Sequence, residues 1–258
     1  MRVAISQKKC VPGSVNDNIQ DYLDNVKKAK SQNADLIVFP ELSDTGYDLE
    51  NMSSIASSYE NGLPLSHLKQ AASANEIAVI AGITEKSASH IYNSTVAIDK
   101  RGAVIANYRK IHLYTPNGEG VFTPGNEPVL FDFMGFRIGL LICYDLRFPE
   151  FARYLAKKGA TVLIVPTAWP FPRVEHWNIL TKARAIENQC YVVGVNRVGT
   201  ECGFTFCGNS RIADPHGVLV ASASEDQEEL LVADLDQSKI DFIRKRQPIF
   251  SHIREDLF

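Results

Sequence analysis

The chain has 258 residues, 45% of them hydrophobic and 22% charged, a profile that is typical of a globular protein with a substantial core. Its net charge of −3, without a basic run, gives no electrostatic footprint for nucleic acid. No stretch approaches the ~20 apolar residues of a membrane span, and the short apolar run at the N-terminus does not match a signal peptide. Five scattered cysteines, an odd number, argue against a disulfide framework, so we expect a cytoplasmic protein.

The first half of the chain alternates strand and helix patterns. A strand is predicted at Arg2–Gln7, and Ser14 with Asp17 three residues later then resembles the capping box that starts a helix. The run Leu36–Phe39 is apolar throughout, which favours a strand covered on both faces, and Pro40 ends it. The predicted elements that follow are a helix at Leu65–Asn75, strands at Ala78–Thr84 and Ser94–Ile98, a turn at Asp99–Gly102 and a strand at Ala103–Ile111.

The second half repeats this order. A strand is predicted at Arg137–Cys143, and the next helix starts at Pro149, a favourable first-turn position, and stops at Gly159. The run Ala160–Pro166 (ATVLIVP) then echoes Ala34–Pro40 (ADLIVFP), which indicates two similar halves; chance similarity of buried strands is the alternative. Further predicted elements are a helix at Val174–Asn188, a strand at Tyr191–Val195, a hairpin turn at Asp214–Gly217, a strand at Leu230–Ala233 and a basic helix ending at Arg246. Because no flexible linker interrupts the pattern, we expect one α/β domain over residues 1–258.

Three predicted strands each end beside a residue that can do chemistry. Glu41 directly follows Pro40, Lys110 lies near the end of the strand that begins at Ala103, and Cys143 ends a third strand. Functional groups often lie on the loops that leave a rigid sheet. Each residue alone also has a structural explanation, since Glu41 fits a solvated turn, Lys110 a strand-end lysine and Cys143 a core thiol.

The three residue types together predict acyl transfer. A thiol with a pKa of ~8.5 is mostly protonated at neutral pH, so it needs a base such as Glu41 when it attacks a carbonyl carbon. A lysine stabilises the anion that develops, and the backbone N–H of Tyr144, directly after Cys143, is a natural second donor to the oxyanion. This set of groups is complete without a histidine or a metal.

The quoted segments FPEL..TGY, YRKIHLY and GLLICYDLRFPE resemble the signatures of the nitrilase, or carbon–nitrogen hydrolase, superfamily, and they occur in its order along nearly the whole chain. The resemblance implies a Glu–Lys–Cys triad in which Glu41 is the general base, Lys110 the oxyanion donor and Cys143 the nucleophile. It also implies a four-layer α–β–β–α sandwich, pairing of two such subunits helix to helix, and hydrolysis of non-peptide C–N bonds without a metal or organic cofactor.

The resemblance also implies a second glutamate, between the lysine and the cysteine, that orients the lysine and positions the substrate. The segment EGVFTPG supplies Glu119, nine residues after Lys110. Its neighbours Gly118 and Gly120 are also compatible with an ordinary loop glutamate. Tyr47, in the TGY sequence, is expected either to line the pocket or to pack in the core.

Two longer segments, Trp169–Gly199 and the tail Pro248–Phe258 (PIFSHIREDLF), are similar to the ω-amidase group of this superfamily. The group implies a small-molecule substrate, a short dicarboxylic monoamide such as 2-oxoglutaramate or succinamate. The free carboxylate of such a substrate needs a cation, and we expect Arg173 to supply it through a bidentate contact; a surface or interface arginine is the alternative.

Other functions remain open on the residues alone. The chain is also compatible with a nitrilase or an N-carbamoyl hydrolase of the same superfamily, and with a non-catalytic protein that uses Cys143 as a redox sensor. Asp145 and Arg147 are expected to shape the loop after Cys143, with Arg147 paired to a carboxylate. The cysteines at 202 and 207, with His216, lack the spacing of a metal site, and we expect none.

Overall fold

The computed structural model describes residues 1–257, so the last residue of the tail segment, Phe258, lies outside it. The strands are β1 (Arg2–Gln7), β2 (Leu36–Val38), β3 (Ser57–Ser58), β4 (Ala78–Ser87), β5 (His90–Ile98), β6 (Val104–Arg109), β7 (Leu130–Phe133), β8 (Phe136–Leu140), β9 (Val162–Pro166), β10 (Tyr191–Val195), β11 (Val198–Glu201), β12 (Phe204–Cys207), β13 (Arg211–Ala213), β14 (Leu219–Ser222) and β15 (Glu229–Asp234). The α-helices are α1 (Val15–Ser31), α2 (Met52–Ile55), α3 (Leu63–Asn75), α4 (Pro149–Lys157), α5 (Val174–Asn188) and α6 (Gln237–Arg246). Short 3₁₀ turns cover Thr115–Asn117, Glu119–Val121, Cys143–Arg147 and Ile249–His252.

The two large sheets have the same topology. The first has the strand order β15-β1-β2-β4-β5-β6, with β3 on β4, and the second has β7-β8-β9-β10-β13-β14 when it is followed from the other edge. In each sheet the three central strands are parallel, and helices connect them. The unit β8-α4-β9-α5-β10 therefore repeats β1-α1-β2-α3-β4, which confirms the prediction of two similar halves.

Successive side chains of β1 lie in different hydrophobic cores, which shows how the layers pack. Val3 and Ile5 lie in the core that contains the strands of the second sheet, whereas Ala4 lies in the core beneath α1 and α3. Successive side chains of a strand point to opposite faces, so the first sheet is buried on both sides. With α4 and α5 on the outer face of the second sheet, the layers follow the order helices, sheet, sheet, helices, which confirms the four-layer sandwich.

Most predicted elements are confirmed, and the differences have local causes. The strand predicted to reach Cys143 ends at Leu140, because Cys143 has a φ of +45° and starts a 3₁₀ turn. The sequence prediction missed two hairpins, β7–β8 and β11–β12. Their two-residue turns, Met134-Gly135 and Cys202-Gly203, have positive φ at both positions, and the glycine in each was a signal for such a turn. Among the helices within residues 1–257, none is long and apolar enough to cross a membrane.

Candidate active site

The structure brings the three predicted residues together at one end of the sandwich. The Lys110 Nζ atom lies 2.8 Å from Glu41 Oε1, and the charges of both residues act on the Cys143 thiol. Glu41, Lys110 and Cys143 are all buried. The site therefore lies inside the protein, where low polarity strengthens each electrostatic contact.

The Glu41 carboxylate has fixed hydrogen bonds on both oxygens. Oε1 accepts from Asn93 Nδ2 at 2.7 Å as well as from Lys110, and Oε2 accepts from the backbone N–H of Ala168 at 2.8 Å. The segment around Glu41 packs closely against Gly82 of β4, where an added Cβ would lie 2.4 Å from the Pro40 carbonyl oxygen. Only glycine permits this approach, so the close packing places Glu41 against its neighbours.

The Lys110 ammonium is held between two carboxylates. It donates to Glu119 Oε1 at 2.7 Å and to Glu119 Oε2 at 2.8 Å, in addition to Glu41. Burial alone would lower the pKa of Lys110, but the nearby Glu119 and Glu41 outweigh it and raise that pKa above its ordinary value. Lys110 is therefore a permanent cation.

Glu119 is oriented by two further donors. The Tyr47 hydroxyl donates to Glu119 Oε1 at 2.6 Å, and the Tyr114 backbone N–H donates to Oε2 at 2.7 Å. Burial raises the pKa of Tyr47 well above its ordinary value, and the neighbouring Glu119 raises it further, so the phenol stays protonated. The predicted pocket tyrosine is thus both a lining residue and a hydrogen-bond donor to Glu119.

Asp145 shapes the turn that presents Cys143. Its Oδ2 atom accepts from the Ile142 N–H at 2.9 Å and from the Tyr108 hydroxyl at 2.7 Å, and its Oδ1 atom accepts from the His112 N–H at 3.0 Å. These bonds replace sheet pairing just before Cys143 and confirm the loop-shaping role predicted for Asp145. No protein acceptor in residues 1–257 takes the Tyr144 N–H, which leaves it a free donor directly after Cys143.

The Cys143 thiol is uncharged at rest. Burial raises its pKa well above the ordinary value and the negative charge of Glu41 raises it further, whereas Lys110 acts in the opposite direction. The backbone N–H of Ala168 also favours the thiolate. A neutral thiol beside a carboxylate and a fixed ammonium is arranged for proton transfer during attack rather than for a resting thiolate.

A cavity of about 290 Å³ leads to Cys143. Its lining residues are Tyr47, Tyr114, Asn117, Glu119, Cys143, Tyr144, Arg147, Ala168, Trp169, Pro170, Arg173 and His176. The volume is at the low end for small-molecule sites, which excludes large substrates. The cavity contains the predicted substrate residues Tyr47, Tyr144 and Arg173.

The outer wall of this cavity is cationic. The prediction that Arg147 pairs with a carboxylate is wrong. The Arg147 guanidinium lies 4.4 Å from the centre of the Trp169 ring, and the Arg147 Nη1 atom lies 3.2 Å from His176 Nδ1. Arg173 lies 5.7 Å from the centre of the Tyr114 ring. Within residues 1–257 neither arginine has an acidic partner within ion-pair distance, so both positive charges face the cavity uncompensated.

Comparison with known proteins agrees with this geometry. A family model described as carbon-nitrogen hydrolase matches residues 2–245. The chain belongs to the carbon–nitrogen hydrolase family. It is 38% identical over 244 residues to a 2-oxoglutaramate amidase of Bacillus subtilis (strain 168), with 91% of this chain and 93% of that protein covered. A nitrilase of Pyrococcus abyssi is 39% identical over 215 residues, covering 82% and 80%.

A solved amidase from Nesterenkonia sp. AN1 superimposes with a TM-score of 0.87 at 29% identity, covering 98% of this chain and 100% of that one. Structures of that amidase include acrylamide and the acetamide moiety of fluoroacetamide added to its active-site cysteine. These similarities confirm the predicted family, and they make the protein a hydrolase of carbon–nitrogen bonds.

Several site residues of this hydrolase were not predicted from sequence. Asn93 is one of several polar residues within β5, and Trp169 and His176 lie in a segment quoted only for its overall similarity, so no local pattern identified them. Their role arises from contacts between distant parts of the chain. Within residues 1–257, no group of three or more His, Cys, Asp or Glu side chains is arranged to hold a metal ion.

Proposed function

We propose that this hydrolase is an ω-amidase, which removes ammonia from a short dicarboxylic monoamide such as 2-oxoglutaramate. The observation that carries the proposal is a small cavity lined by Cys143, the thiol on which the charges of Glu41 and Lys110 act, and by two arginines without an acidic partner, Arg147 and Arg173. The similarity to 2-oxoglutaramate amidases of Bacillus subtilis (strain 168) and Paenarthrobacter nicotinovorans supports this substrate class.

In the first half-reaction, the amide carbonyl carbon lies against the Cys143 sulfur. Glu41 accepts the thiol proton as sulfur attacks, and the Lys110 ammonium and the Tyr144 N–H stabilise the oxyanion. Glu41 then delivers the proton to the leaving nitrogen. Ammonia departs, and the acyl group stays on Cys143 as a thioester.

In the second half-reaction, Glu41 takes a proton from water, which attacks the thioester carbonyl. The tetrahedral intermediate then collapses, the acid is released, and the expelled Cys143 thiolate takes back the proton from Glu41. One carboxylate thus acts as base and then as acid in each half-reaction, for which a neutral thiol is the required resting state. Glu119 keeps Lys110 charged and in place throughout, through both of its oxygens.

The arginines explain why the substrate carries a carboxylate. A carboxylate held at Arg173, with Arg147 beside it, places the amide at the other end of the molecule towards Cys143. The reverse orientation brings the carboxylate against Glu41 and Glu119, where like charges repel. In this scheme Tyr47 contacts the substrate only through its ring, which forms part of the cavity wall, because its hydroxyl is bonded to Glu119.

The environment of Cys143 disfavours the alternative role as a redox sensor. Sensor cysteines are exposed and have a low pKa, whereas Cys143 is 9% exposed and burial raises its pKa. Because Cys143 and the four other cysteines are all free, we also propose a reducing, cytoplasmic location.

We further propose that residues 1–258 form a single domain and that two copies form a homodimer through the outer face of α4 and α5. The family match across residues 2–245 supports the single domain. Ile179 and Ile186 are seven residues apart on α5, and both are more than half exposed; Tyr154 on α4 is also exposed. Sedimentation velocity tests the homodimer: Ile179→Glu combined with Ile186→Glu should give monomers, whereas Met134→Glu, at an equally exposed apolar position on another face, should not.

A substrate panel tests the proposed activity. Ammonia release is measured for 2-oxoglutaramate and succinamate, for neutral amides of the same length, for nitriles and for N-carbamoyl compounds. The anionic monoamides should give the highest kcat/KM, and Cys143→Ala should abolish turnover. Mass spectrometry of the protein with a slow amide should show the acyl increment on Cys143. Preference for nitriles or carbamoyl compounds, or full turnover by Cys143→Ala, would contradict the proposal.

A further inference from the structure

A buried ion pair spans β11, the first strand of the β11–β12 hairpin: Arg197 directly precedes this strand and Glu201 ends it. Arg197 Nη1 lies 3.2 Å from Glu201 Oε1, and neither side chain is more than 6% exposed. The pair touches neither the cavity nor Cys143. Burying two charges is costly, and Arg197 Nε and Nη1 make no hydrogen bond of good geometry in residues 1–257, so the pair is a poor choice for stability alone.

The two partners contact opposite ends of the loop that carries Glu41. Arg197 Nη2 donates to the carbonyl oxygen of Leu42 at 3.4 Å, and Leu42, the residue after Glu41, has a φ of +45°. Glu201 Oε2 accepts the backbone N–H of Tyr47 at 2.9 Å. One ion pair therefore holds both the start and the end of segment 41–47.

Tyr47 transmits this restraint to the site. Its hydroxyl donates to Glu119 at 2.6 Å, and its ring packs edge to face against Phe204 and Phe206 of the same hairpin, with centroid distances of 5.5 and 5.8 Å. The Arg197 guanidinium lies 5.3 Å from the centre of the Phe206 ring. The hairpin thus fixes Tyr47 at its backbone, at its ring and, through Glu119, at its hydroxyl.

Glu201 packs so closely against segment 41–47 that no side chain larger than glycine fits at Gly46. A Cβ added at Gly46 would lie 2.8 Å from Glu201 Oε2 and 2.9 Å from the Pro12 Cα, and Gly46 has a φ of +74°. The loop is therefore built to let the Glu201 carboxylate reach the Tyr47 N–H. The hydrogen bond between the Tyr47 N–H and the buried Glu201 carboxylate therefore depends on a glycine at position 46.

We propose that Arg197 and Glu201 are positioning residues for the hydrolase reaction, which act through Tyr47 on Glu119 and the Lys110 ammonium. The inference rests on the proposed function, because it assumes that Lys110 stabilises the oxyanion. Loss of the Glu201 carboxylate releases the Tyr47 N–H, lets the phenol move from Glu119 and weakens the alignment of the ammonium with the developing charge. Misplacement by ~1 Å costs about 100-fold in rate.

A double-mutant cycle between Glu201→Ala and Tyr47→Phe tests the inference with the full-length enzyme. We expect Glu201→Ala to lower kcat by ~10- to ~100-fold with little change in KM, and Glu201→Gln to restore most of the loss, since its amide oxygen still accepts from the Tyr47 N–H. The double variant should be no slower than the slower single variant, because both changes act on one path. Rates are normalised to the concentration of folded protein, which is taken from the circular dichroism of each variant, so that unfolded protein is not counted.

Asp214 supplies a matched control far along the chain from this loop. It is also a buried carboxylate that accepts backbone N–H groups, from His216 and Val218, and pairs with a cation, Lys239, at 3.4 Å. Asp214→Ala should lower thermal stability but leave kcat near the wild-type value. If Glu201→Ala does not fold, Glu201→Asp takes its place in the cycle, since the shorter side chain keeps the charge but cannot reach the Tyr47 N–H.

Two results would overturn the inference: a loss of kcat in the Glu201 variant no greater than in Asp214→Ala, or effects of the Glu201 and Tyr47 changes that multiply. Neither result touches the proposed function, which fails on separate evidence, namely turnover by Cys143→Ala or the absence of an acyl adduct. The two failures are therefore distinguishable in one set of experiments.

Discussion

Replacing Arg173 with methionine should separate anionic from neutral substrates. The change removes the guanidinium but keeps most of the apolar stem, so the cavity wall loses charge more than it loses shape. The matched substrates are succinamate and the neutral amide butyramide, which differ at the end away from the amide. We expect kcat/KM for succinamate to fall sharply and kcat/KM for butyramide to change little.

The size of the loss follows from the position of Arg173 on the partly exposed outer wall. Two unit charges about 4 Å apart interact by about 4 kcal/mol at an effective dielectric constant of about 20. Exposure and the entropy of holding a long side chain reduce this value, and hydrogen bonds to charged groups contribute about 1.5–3 kcal/mol in practice. This range corresponds to a ~10- to ~150-fold loss in kcat/KM.

The assay is initial-rate ammonia release, and two further arginine variants interpret it. Arg147→Met should lower kcat/KM in the same substrate-selective way, because Arg147 lines the same cavity without an acidic partner. Arg153→Met is the control: its guanidinium also lies over an aromatic ring, 5.3 Å from the centre of Phe250, but outside this cavity. Equal losses on succinamate and butyramide in Arg173→Met would refute the carboxylate clamp.

Three further predictions concern other parts of the molecule. Glu119→Gln removes a negative charge beside Lys110, and we expect kcat to fall by ~100-fold in single-turnover measurements, with no loss if Glu119 is only a loop residue. Gly194→Ala places a Cβ 2.6 Å from the Trp177 ring, so urea unfolding should show destabilisation by ~1–3 kcal/mol. Burial raises the pKa of Asp44 to about 7, so the folded state holds a proton that the unfolded state releases from about pH 4 upward. Stability should therefore fall by at most about 4 kcal/mol as pH rises from about 4 to about 7, and Asp44→Asn should flatten this dependence over the same range.

The sequence predicted those parts of the fold that depend on local patterns. The apolar runs of β2 and β9 and the helix signals at Pro149 are consequences of burial on both faces and of helix-end chemistry, which a single sequence shows directly. The end of β8 was predicted too far along, because the turn at Cys143 depends on a carboxylate, that of Asp145, whose other donors come from residues more than 30 positions earlier.

The reactive residues of the site were predictable from the sequence, but the hydrogen-bond partners that orient them were not. Glu41, Lys110 and Cys143 are recognisable because each lies in a distinctive motif at a strand end. The donors that orient Glu41, from Asn93 and Ala168, lie 52 and 127 residues away along the chain. Such partners have no local signature, since any buried amide or backbone N–H brought there by the fold can fill the role. For the same reason the sequence analysis predicted a carboxylate partner for Arg147, where the structure has an indole ring.

Under the proposed function, the distribution of charge in the cavity orients the substrate. At its base, two carboxylates and one ammonium leave a net negative charge while the Cys143 thiol is neutral; at its outer wall, Arg147 and Arg173 are positive. A monoamide with a carboxylate at one end is attracted to the wall and repelled from the base at that end only, so its amide is directed to the thiol. A neutral thiol suits this order, because a resting thiolate would add a further negative charge beside Lys110 and oppose the oxyanion that forms there. The raised pKa of Cys143 is therefore consistent with catalysis by Glu41 as the base, and it explains why the proton must move during attack rather than before it.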